Sequence, residues 1–247
     1  MTPRRPFPDP LRLVIFDNDG VLVDSERLSS ATLAEVLTDL GIPYTPEESH
    51  RDFTGGTLGR VRQVVEGRGL ALPALFEATY ARRLADVFSR ELRPSTGVPE
   101  LLERLRERGV DCCVASNGTR ERVEASLRAT GLLERFAGRA FSADDVARPK
   151  PAPDLFLHAA ATLGAYPDAC LVVEDTPPGI EAGRRAGMYV WAPASTYEEA
   201  ELAGADRVSP TMAALAAELE ATLQAVGRAV GGRPGAEGTG AAGRGAG

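Results

Sequence analysis

Two aspartates one residue apart, Asp17 and Asp19, follow directly on residues 11–16 (LRLVIF), with Gly20 just behind them. The run before them is mostly apolar and carries Val and Ile, the composition of a strand buried on both faces of a parallel sheet. Acids at the carboxyl end of such a strand stand where open α/β sheets carry their sites. Two carboxylates this close repel, and burial raises a carboxyl pKa unless a cation compensates. A hard divalent ion such as Mg²⁺ (magnesium) is the natural partner. Alone, Asp-x-Asp also fits a turn followed by a capping Asp or Ser.

The placement recurs along the chain. Ser116 and Asn117 follow 110–115 (VDCCVA), Lys150 stands in RPKP after a weak strand at 140–142, and Glu174 and Asp175 follow 169–173 (ACLVV). A parallel sheet brings such strand ends within side-chain reach, so acids, a hydroxyl and an ammonium meet in one pocket. Clustered acids call for a metal, while the hydroxyl, backbone N–H groups and Lys150 suit phosphoryl oxygens. That is phosphoryl-transfer chemistry. Lys150 is the only lysine of the chain, in a position where an arginine does not replace a compact ammonium.

The elements that must hold these groups follow from pattern. After the first strand, 26–40 repeats apolar residues at helical spacing and stops at Gly41. From there to 91 the pattern is helical, with starts near Pro46, Thr57 and Pro73, and no strand. So long an insertion exceeds a crossover helix and is expected to form a small separate domain. From 99 onward, strands (110–115, 140–142, 169–173, 188–192) alternate with helices (99–108, 119–130, 153–163, 177–186), which predicts a doubly wound α/β parallel sheet. The expected division is a loose arm at 1–10, a core from 11–25 and 92–226, helices at 26–91, and a disordered Gly/Ala-rich tail at 231–247.

The 247 residues carry a formal net charge of −7, which leaves no cationic surface for nucleic acid. No apolar run approaches the ~18 residues of a membrane span, and no secretory h-region is present, so a cytoplasmic protein is expected. The three cysteines show neither a disulfide framework nor zinc spacing.

With these residues in view, the sequence resembles the haloacid dehalogenase-like (HAD) phosphohydrolases. DNDGVLVDSE (17–26), VASNG (114–118), RPKPAPDLF (148–156) and VVEDTPPGIEAGRRAGM (172–188) look like that family's four motifs in order. The closest flavour is the branch of small-metabolite phosphatases and β-phosphoglucomutases. The resemblance implies a Rossmann-like core with 26–91 as an all-helical cap domain. It implies Asp17 as nucleophile through an aspartyl phosphate and Asp19 as acid and base. It gives Ser116, Asn117 and Lys150 to the phosphate, and Mg²⁺ to Asp17, the carbonyl of Asp19, Asp175 and Glu174, the last directly or through water. The expected ligand is a small phosphorylated sugar or sugar acid, and the expected state a monomer or weak dimer. Gly55 and Gly56 mark a cap loop where backbone approaches a ligand, and hinges are expected near 24–27 and 92–95.

Alternatives stay beside this reading. Ser116 also fits a helix cap, and Lys150 a surface lysine. His50 and His158 read as structural or exposed, and Arg51, Arg60 and Arg62 as a solvated face or an anion site. A phosphomutase would carry His where Ser29 stands. A receiver-like module uses similar groups but no helical insertion of this size, and a silent phospho-ligand-binding protein is the remaining non-enzyme.

Overall fold

The structure, a computed structural model, describes residues 5–54 and 58–231. β1 (Leu13–Phe16), β2 (Asp111–Ser116), β3 (Ala140–Ser142), β4 (Cys170–Val173), β5 (Tyr189–Pro193) and β6 (Arg207–Ser209) form one sheet in the order β3-β2-β1-β4-β5-β6, every pair parallel. The reversal of strand order between β1 and β4 is the switch point at which open sheets open a crevice. β6 was not expected: its three residues carry no period of their own, and they are held at the edge by pairing with β5 and by Arg207 stacked 4.1 Å over the Trp191 ring.

Helices α5 (Val98–Glu107), α6 (Arg120–Ala129), α7 (Asp154–Thr162), α8 (Pro177–Arg185) and α9 (Met212–Gly231) cover both faces. One face packs Val14, Phe16, Leu171 and Trp191 against Leu105, Leu127 and Leu219 from α5, α6 and α9. The other packs Leu13, Ile15, Val172 and Val190 against Phe156, Ala160 and Ile180 from α7 and α8. Alternate residues of β1 thus face opposite layers, and each buried aliphatic or aromatic side chain stabilises by roughly 1.5–3 kcal/mol. The expected doubly wound α/β core is what the chain builds.

Between β1 and β2 lie α1 (Glu26–Asp39), α2 (Pro46–Phe53), α3 (Leu58–Gly67) and α4 (Phe76–Glu91). Pro46 begins α2, and Thr45 and Glu48 cap it reciprocally: Thr45 Oγ1 accepts from the Glu48 N–H (3.1 Å) and Glu48 Oε2 from the Thr45 N–H (2.9 Å). These helices bury their own cluster, including Leu37, Phe53, Val65 and Phe76. The chain leaves and re-enters the core side by side: Val23 pairs antiparallel with Pro94, the Asp24 N–H donates to the Arg93 carbonyl, and the Ser95 N–H to that of Leu22.

Residues 5–10, expected as a loose arm, are docked instead. The Arg5 guanidinium donates to the Arg184 and Met188 carbonyls at the end of α8, where the helix dipole favours a cation, and Phe7 meets Tyr189 edge-on. The expected tail lies outside the described residues from 232 onward. The three cysteines are free and buried, and burial pushes the Cys112 thiol up to about 12. Among the described residues, no helix is long and apolar enough to cross a membrane.

Candidate active site

The register of β1 and β4 places Phe16 opposite Val173, so Asp17 and Glu174 leave the sheet together, with the Asp17 N–H bonded to the Val173 carbonyl at 2.9 Å. Lys150 Nζ lies 2.6 Å from Asp17 Oδ1 and 2.6 Å from Glu174 Oε2, with its side chain 3% exposed. Phe156 backs the ammonium, its ring centre 4.8 Å away. The lysine stands in the loop ahead of α7, which starts at Asp154. Asn117 fixes it there: its amide oxygen accepts from the Lys150 N–H (2.9 Å) and its amide nitrogen donates to the Lys150 carbonyl (3.0 Å).

Glu174 is engaged at both oxygens, by Lys150 at Oε2 and by the Thr176 N–H and hydroxyl at Oε1 (3.0 and 2.7 Å). The same Thr176 hydroxyl caps α8 by accepting from the Gly179 N–H. Gly179 admits Glu174 there, because a Cβ at that position would sit 2.0 Å from its carboxyl carbon. Asp175 Oδ2 accepts from the Thr196 hydroxyl at 2.6 Å, whereas buried Oδ1 has no partner. Gly20, at φ +74°, closes the turn beneath Asp175: a Cβ would meet Oδ2 at 2.1 Å.

The electrostatics follow from this crowding. Burial, then the Glu174 charge, lifts Asp17 to about 7 against the opposing pull of Lys150. Asp175 is raised well above its ordinary value by burial and by Glu174 and Asp17. For Lys150, burial pulls downward, but Asp17 and Glu174 together leave its pKa raised. Ligand oxygens of Asp17, Glu174 and Asp175 lie within 4.8 Å of one another. Fully ionised, three carboxylates against one ammonium carry two negative charges in excess, which adds to burial in raising Asp17 and Asp175, and the orphaned Asp175 Oδ1 is a ready ligand atom. The residues therefore fit a hard divalent cation.

A cleft of about 510 Å³ opens over this cluster. It brings together Asp17, Asp19, Ser116, Asn117, Lys150, Glu174 and Asp175. Ser116 Oγ accepts from the Gly118 N–H (3.1 Å), while α6 is capped by Thr119, so Ser116 is not the helix cap. Gly55 and Gly56 lie outside the described residues.

The sequence model of the haloacid dehalogenase-like hydrolases matches residues 11–187, which spans every one of these site residues. The chain belongs to that family. A 6-phosphogluconate phosphatase of Escherichia coli is 32% identical over 73% of this chain and 81% of its own length. Protein SUPPRESSOR OF QUENCHING 1, chloroplastic, of Arabidopsis thaliana is 34% identical over 76% of this chain, which spans only 18% of that longer protein. Among solved structures, a HAD family hydrolase from Deinococcus radiodurans with bound phosphate and sodium superposes with a TM-score of 0.76 at 31% identity, covering 88% of this chain and 97% of that one.

This HAD-like cleft also holds residues that sequence reasoning missed. Arg122 Nη2 lies 3.4 Å from Asp19 Oδ1, and the opposite wall brings Glu26, Ser29, Ser30, Ser49 and Tyr80. Arg122 is one arginine among many, and no local signal marks it. Glu26, Ser29, Ser30 and Leu33 do share one face of α1 by their i, i+3, i+4, i+7 spacing, which was the available sign. His50 sits behind this wall, its Nδ1 2.9 Å from Thr54 Oγ1 and 3.4 Å from Ser30 Oγ. His158 packs on Phe141. Arg51 pairs with Asp52 and Arg62 with Glu77 and Glu66, and neither they nor Arg60 line the cleft.

Proposed function

We propose that this phosphoric monoester hydrolase is a Mg²⁺-dependent phosphatase that releases phosphate from a small phosphorylated metabolite, a sugar or sugar-acid phosphate, through an aspartyl phosphate. The reading rests above all on Lys150 held between Asp17 and Glu174 beside the unpartnered oxygen of Asp175. An oxygen of Asp17 attacks phosphorus, and the bond from phosphorus to the leaving alcohol breaks as Asp19 gives its proton to that oxygen. Asp19 then takes a proton from water, whose oxygen attacks the phosphoryl group and frees both phosphate and Asp17. Lys150 steadies Asp17 and offsets charge on the phosphoryl oxygens. Since the Asn117 side chain is committed to the Lys150 backbone, the Ser116 hydroxyl and main-chain N–H groups near Asn117 are what remain for phosphate.

Asp17, Asp175 and the Asp19 carbonyl would hold Mg²⁺, with Glu174 contributing through water because both its oxygens are already engaged. The ion supplies charge neutralisation that lets dianionic phosphate approach buried acids. Helices 26–91 act as a cap that excludes water, turning on the paired crossings at Val23 and Pro94. The similarity to a 6-phosphogluconate phosphatase supports a small sugar-derived ligand, and three buried thiols suit a reducing cytoplasm.

The test is phosphate release from a panel of phosphorylated sugars, sugar acids and polyols, with Mg²⁺ or EDTA. Release should need the metal and fall on the order of 10⁴-fold or more in Asp17→Asn. Release insensitive to either change sinks the reading. Isomerisation of β-glucose 1-phosphate without net release would replace it with a phosphomutase.

A further inference from the structure

Apart from Glu26, α1 and α2 line the cleft with side-chain hydroxyls and apolar groups. Along α1 the cleft-lining residues fall one turn apart: Glu26 first, then Ser29 and Ser30, then Leu33. Glu26 marks the phosphoryl end, because its carboxyl lies in the fields of Asp19 and Arg122. Ser30 is therefore about one helical pitch, ~5.4 Å, farther out. There Ser30 and Thr54 both approach His50 Nδ1, at 3.4 and 2.9 Å, and one ring nitrogen serves one hydroxyl at a time. The other hydroxyl is left to donate and accept toward the cleft.

Ser49 adds a second, independent sign. It lines the cleft, is 1% exposed, and its Oγ is buried without any partner. A buried hydroxyl with nothing to bond is costly unless a ligand completes it. The cleft is also lined by the apolar side chains of Leu33, Phe53, Leu58 and Val61. The cations among the described lining residues are Lys150, held by two acids, and Arg122, against Asp19, both at the phosphoryl end.

We infer that the leaving group is a neutral polyhydroxylated chain or ring whose far hydroxyls bond Ser30, Ser49 and Thr54, and that a carboxylate or second phosphate at that far end is rejected. The inference rests on the phosphatase reading and chooses between its two substrate classes. A carboxylate there would meet neutral hydroxyls and apolar side chains, the cations among the described lining residues being held at the phosphoryl end.

The sharpest test compares glucitol 6-phosphate with gluconate 6-phosphate, which differ only in a terminal CH₂OH against a carboxylate. We expect kcat/KM at least about tenfold higher for the glucitol ester. Ser49→Ala and Ser30→Ala should each shrink that ratio severalfold, a change that a purely structural role for either serine would not produce. Calorimetric binding of both esters to Asp17→Asn, with inorganic phosphate as reference, should show the same order. A ratio of one or below, with phosphate still released, overturns the inference and leaves the phosphatase standing. Absence of release from every ester of the panel would overturn the phosphatase reading itself, whereas equal or tighter binding of the gluconate ester to Asp17→Asn would overturn the inference alone.

Discussion

The core wall of the cleft is a set of mutually dependent charges on strand ends, whereas the α1–α2 wall is a set of hydroxyls and packed apolar side chains with few hydrogen bonds among them. On the core side, Lys150, Asp17, Glu174, Thr176 and Asn117 form one connected network with bonds of 2.6 to 3.0 Å. On the helical side, apart from the 2.9 Å contact of Thr54 with His50, hydrogen bonds are longer or missing: 3.5 Å from the Tyr80 hydroxyl to the Ser29 carbonyl, 3.4 Å from Ser30 to His50, and none for Ser49 Oγ. A buried charge network is paired before any ligand arrives, here everywhere but at Asp175 Oδ1, because unpaired charge in a low dielectric is costly. A wall of hydroxyls is completed by the ligand itself. On the proposed function, chemistry is thereby fixed in one wall and selectivity left adjustable in the other.

Removing the network's only cation should break this contrast most visibly. Lys150→Met leaves Asp17 and Glu174 facing each other, and we expect unfolding in urea to show a loss of about 3–5 kcal/mol together with a fall in turnover of about 10²-fold or more. A loss within ~0.5 kcal/mol would mean that the core wall is no more coupled than an ordinary surface. A smaller effect should come from Gly179→Ala, which touches no ligand but drives a methyl into Glu174. Activity should fall about 10–100-fold, with weakened Mg²⁺ dependence in a metal titration; unchanged metal affinity would detach Glu174 from the ion site. The smallest change belongs to the other wall. Tyr80→Phe deletes one long hydrogen bond, and kcat/KM should stay within about threefold of the parent. A loss as large as that of Gly179→Ala would show both walls to be equally coupled.

The same difference explains what could be read from the sequence. Asp17, Ser116, Lys150 and Glu174 were legible because parallel pairing brings strand ends together whatever the side chains are, so apolar runs followed by polar residues locate the core wall. Arg122 was not, since its partner Asp19 is 103 residues away and many arginines compete for the same description. Ser30 and Ser49 sit on different helices, α1 and α2, whose packing no periodicity specifies. β6 and the docked residues 5–10 are likewise tertiary: Arg5 bonds carbonyls 179 and 183 residues away. Propensity carries no information at that range.

The paired crossings at Val23 and Pro94 also bear on descent. Chain that exits and returns through adjacent, hydrogen-bonded segments leaves a gap that a two-residue turn spans. Everything between can lengthen, shrink or be exchanged while the sheet beneath keeps its register. The molecule is in this sense built as a graft, its helical scion joined to the sheet at two neighbouring nodes.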